Sequence, residues 1–68
     1  MKQKEVAERA MELIGDVKKY DELAKNYEHY DLLHSILNTL RTEFPEASET
    51  TINSAFSRAL RLLRAKSR

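Results

Sequence analysis

Residues 45–65 read PEASETTINSAFSRALRLLRA. Proline has no backbone N–H and disfavours helical geometry at the residue before it, so Pro45 ends whatever helix precedes Phe44. Ser48 is a preferred cap, and Glu49 places a carboxylate against the positive end of the helix dipole. From there Ile52, Ala55, Phe56, Ala59, Leu60, Leu62 and Leu63 recur at helical spacing and form one apolar face. These features predict a helix over about 49–65.

Upstream, Val6, Ala10, Leu13 and Val17, widened by Ala7, Met11 and Ile14, predict a first helix over about Lys2–Ile14. Gly15 stands where a glycine would end it. In the middle, Asp16 or Asp21 is placed to cap a helix, and Leu23, Tyr27 and Tyr30 give one apolar side. Leu33, Ile36, Leu37, Leu40 and Phe44 continue in step, with Asp31 as a cap. The pattern leaves open whether 21–43 is one helix or two, and favours two with a bend near Tyr30–Asp31. A core is expected from Met11, Ile14, Leu33, Leu37, Leu40, Ile52, Phe56, Ala59 and Leu63.

Composition narrows the fold class. One glycine and one proline in 68 residues cannot supply a turn about every 8–12 residues, as a β-sandwich or barrel requires. An apolar fraction of 41% argues against disorder despite 34% charged residues. The expected fold is all-α: a single domain over 1–68, a small bundle of three to four helices. There is no cysteine, hence neither disulfide nor thiolate metal site. No leader-like or membrane-spanning apolar run occurs, so the chain reads as soluble and cytoplasmic. A core this thin supplies only ~3–5 kcal/mol, which favours a homo-oligomer.

Charge is unevenly placed. Residues 1–34 hold six Lys/Arg against eight Asp/Glu, and residues 35–68 hold six against three. No acidic side chain follows Glu49, whereas Arg58, Arg61, Arg64, Lys66 and Arg68 do. On the polar side of the last helix, Thr50, Asn53, Ser54 and Ser57 precede Arg58, Arg61 and Arg64, with Thr51 beside them. Small hydrogen-bonding side chains suit base edges, and arginines suit phosphates. The helix over Leu32–Phe44, the turn at 45–47 and the helix after Ser48 together resemble the general helix-turn-helix arrangement, without the signature of any one family. That resemblance implies double-stranded DNA as partner, the last helix as recognition helix, transcription or plasmid and phage regulation as setting, and a dimer. The macrodipole alone also favours cations at a helix C-terminus. The unmixed sign after Glu49 is what tips the reading towards DNA.

The alternative is a protein–protein adaptor or inhibitor that presents Tyr20, Tyr27 and Tyr30 to a larger complex, because such rings anchor interfaces. Rings that merely rim the core are the ordinary explanation. His29 and His34 are five residues apart, which puts them about 140° apart on a helix and argues against a metal site. No phosphate-binding glycine loop or nucleophile motif is present, so neither an enzyme nor a cofactor is expected.

Overall fold

The computed structural model describes residues 3–23, 25 and 28–66, with 28 and 29 described through their backbone only. Among them stand four helices and no strand: α1 (Gln3–Ile14), α2 (Val17–Leu23), α3 (Glu28–Glu43) and α4 (Glu49–Lys66). The protein is a small all-α bundle.

Four helix ends have a local cause. Gly15 adopts φ +67°, a left-handed conformation that L side chains resist, and its N–H bonds to the Met11 carbonyl at 3.0 Å. Asp16 then caps α2, its Oδ1 accepting from the Lys18 N–H at 3.0 Å. This settles the choice between Asp16 and Asp21 in favour of Asp16. The Phe44 N–H makes the last bond of α3, to Leu40 at 2.8 Å, before Pro45 breaks the ladder. Ser48 Oγ accepts from the Thr51 N–H at 3.1 Å and donates to Thr51 Oγ1 at 3.0 Å, which anchors the first turn of α4.

One boundary differs from the expected one. α2 ends at Leu23 and α3 begins at Glu28, so α3 runs through Tyr30–Asp31 without a bend there. Asp31 is therefore an exposed residue of the first turns of α3 and not a cap. The apolar positions of the two helices share a common spacing, so periodicity alone cannot locate the boundary between them.

α4 packs chiefly along α1, and α3 closes one side of that pair. Alanines make the close approach feasible: Ala7, Ala10, Ala55 and Ala59 are all buried at the heart of the core. Val6, Leu40 and Ile52 are its largest fully enclosed side chains, and burying such a side chain contributes ~1.5–3 kcal/mol. Of the expected core, Ile14, Leu37, Leu40, Ile52, Phe56 and Ala59 are buried, while Met11, Leu33 and Leu63 are half-buried against it. Leu62 departs from expectation. It lies at the edge of the apolar stripe and is 40% exposed, because α1 and α3 cover only the centre of that stripe.

Two ion pairs tie distant segments together. Arg9 on α1 bonds both carboxylate oxygens of Glu43 at the end of α3, Nε to Oε1 at 2.7 Å and Nη2 to Oε2 at 3.0 Å. Arg64 on α4 holds Asp21 on α2 in the same two-pronged way.

Candidate nucleic-acid interface

The outer face of α4 follows from its phase. With Ile52, Ala55, Phe56 and Ala59 turned inwards, a repeat of about 100° per residue turns Thr50, Asn53, Ser54, Ser57 and Arg61 outwards. All five are exposed. Asn53, Ser54, Ser57, Arg61 and Arg64, with the edge of Leu60, line one shallow polar groove along the helix. The structure thus gathers most of the expected DNA-contacting residues on a single surface.

Three of them stand differently. Thr51 is half-buried, and both its N–H and its hydroxyl take part in the Ser48 cap. Arg58 is half-buried and belongs to another groove, between α4 and α1. It lies about 140° of helical rotation from Asn53 but only about 40° from Ser54, so it borders the row without lining its groove. Arg64 reaches the outer face but grips Asp21, Nη2 to Oδ1 at 2.7 Å and Nε to Oδ2 at 3.3 Å. This hydrogen-bonded contact raises the Arg64 pKa and lowers that of the Asp21 carboxyl, and burial opposes each shift. Arg61 is therefore the cation most directly presented beside the short polar side chains.

Acids near the face are partly neutralised. Glu49 stands in the first turn of α4, and Arg41 of α3 meets it, Nη2 to Oε1 at 3.1 Å. Reasoning from sequence missed both Asp21 and Arg41 as neighbours of α4. Each pairing joins different helices, so helical periodicity carries no signal for it. The groove on the outer side of α3 is lined by Asp31, His34, Ser35, Asn38, Thr39, Thr42 and Glu43, and the cation at its border, Arg41, hydrogen-bonds Asn38 at 2.9 Å and pairs with Glu49.

The tyrosine surface is not assembled as expected. Tyr20 is buried, its ring meeting Phe56 edge-on at a centroid distance of 5.9 Å and an interplanar angle of 65°. Burial raises its phenol pKa, an effect that the nearby Arg64 charge opposes. Tyr20 is a core residue and not an interface anchor. Tyr27 lies outside the described residues, and Tyr30 is 53% exposed. His34 is exposed, and the His29 side chain lies outside the description. Among the described residues, no three His, Asp or Glu side chains gather as a metal site would need. Among them, too, no helix is long and apolar enough to cross a membrane. No family model, curated protein or solved structure matches the chain.

Proposed function

We propose that this chain is a small DNA-binding regulatory protein of helix-turn-helix type, with α4 as its recognition helix. The observation that carries the reading is the exposed, acid-free row Asn53, Ser54, Ser57 and Arg61 along one side of α4. Short amide and hydroxyl groups lead, as base-edge contacts in a major groove require, and a guanidinium follows at phosphate depth. Thr50 extends the row by one turn. The α3–turn–α4 succession, with α3 packed against α4, supplies the framework.

One such module buries too little surface for specific affinity, so two copies on one duplex belong to the proposal. Regulation of transcription, or of a plasmid or phage, in the cytoplasm is the setting that this reading implies. Its test is a gel shift against duplexes of varied sequence. Asn53→Ala should flatten the differences between sequences while leaving average affinity nearly unchanged. Equal, weak binding to every duplex by both proteins would refute base reading by α4.

A further inference from the structure

A second groove, of about 450 Å³, runs between α1 and α4 on a different side of α4 from the polar row. Half-buried Met11 supplies its floor, over the buried Ala7, and Leu62 stands beside it as one of two large apolar side chains exposed among the described residues. Lys4, Arg58 and Lys66 rim the groove, against the single carboxylate of Glu8. Among the described residues, none of these three cations has an ion pair or side-chain hydrogen bond.

We propose that this groove docks an acidic amphipathic helix of a partner protein, its apolar side chains on Met11 and Leu62 and its carboxylates on Lys4, Arg58 and Lys66. Apolar anchors at helical spacing suit a groove of this form, and the unbranched Met11 side chain adapts to whatever enters. Charge selects the occupant. A second copy seated about a two-fold axis would set this rim against the same three cations, whereas an acidic helix supplies the opposite sign. Arg58 stands where the two surfaces meet, about 40° of helical rotation beyond Ser54, whereas Leu62 and Lys66 line only the groove.

The test uses the full chain and a synthetic probe peptide of about 15 residues, with leucines at i, i+3, i+4 and i+7 and glutamates at most other positions. Binding is read by polarisation of the labelled peptide and by the Met11 methyl resonance in a ¹H–¹³C spectrum. The expected result is saturable binding that shifts the Met11 methyl and weakens about tenfold or more in Leu62→Glu and in Arg58→Glu. Both positions lie outside the buried core, and a melting curve for each variant verifies its fold. Asn53→Ala and Arg61→Ala should bind the peptide as the parent does, so the outcome is independent of the DNA reading. Equal binding by a scrambled or lysine-substituted peptide would overturn the proposal, as would a Met11 methyl unmoved at saturating peptide. Two further results would also overturn it. One is self-association of the parent chain that Leu62→Glu abolishes, which makes the groove a contact between copies. The other is a shift of the Met11 methyl on adding duplex alone, which makes the rim a phosphate contact.

Discussion

The Arg64 guanidinium takes both carboxylate oxygens of Asp21, 43 positions earlier in the chain. It thereby fastens the C-terminal half of α4 to the short helix α2. One residue thus serves the fold at the edge of the surface assigned to DNA. A phosphate that recruits Arg64 must compete with Asp21 for it.

Asp21→Asn tests that competition. Both side chains are about half exposed, so solvent screening holds the loss of stability to under ~1 kcal/mol. Released from the carboxylate, Arg64 should tighten duplex binding and steepen its salt dependence by about one unit per bound copy. An unchanged slope would mean that Arg64 does not meet phosphate.

Acid should loosen the bundle through the same pairs. Hydrogen bonding to Arg64 and Arg9 lowers the Asp21 and Glu43 pKa values respectively. A carboxyl whose folded pKa is depressed adds stability above its ordinary value of about 4, and that stability is lost as pH falls through the lowered values. Melting temperature should be nearly level from neutrality down to about pH 5 and then decline. The double variant Asp21→Asn, Glu43→Gln should decline less steeply. An identical acid profile would show that neither pair contributes.

Phe56 joins α4 to Tyr20 and to the α1 core. Phe56→Ala should cost ~3–5 kcal/mol, comparable to the whole stability of so small a domain. Circular dichroism should then show loss of the cooperative melt or a large drop in its midpoint. A midpoint near that of the parent would place Phe56 outside the core.

The cap at Ser48 is a smaller, local test. Ser48→Ala leaves the Thr51 N–H without its acceptor and should cost ~1 kcal/mol. Ser48→Asp, which restores an acceptor at the dipole's positive end, should recover most of it. Equal melting of all three proteins would mean that this cap does not hold α4.

Much of this architecture is legible locally. Pro45, Ser48 and Gly15 act on their own backbone or on the next turn, so each boundary they set can be read without knowing the fold. The inward phase of α4 follows likewise from Ile52, Phe56 and Ala59. What was not legible depends on which helix lies beside which. Tyr20 and Tyr30 are the same residue type on adjacent stretches, yet only Tyr20 meets Phe56. Arg58 and Arg64 both stand on the polar side of one helix, yet one lines a groove with α1 and the other is tied to α2. Leu62 belongs to the apolar stripe by spacing, yet it remains exposed because none of the described residues covers that edge.

Arg61 provides the most direct test of α4 as the DNA-binding element. Affinity for a duplex is measured by fluorescence anisotropy across a salt series, for the parent and for Arg61→Ala. Each neutralised phosphate adds about −0.9 to the slope of log affinity against log salt. Removing Arg61 from two bound copies should therefore weaken binding to every duplex alike and flatten the slope by about two units. An Arg61→Ala protein with the parent's slope and affinity would contradict the account, because the outer face of α4 would then not touch DNA.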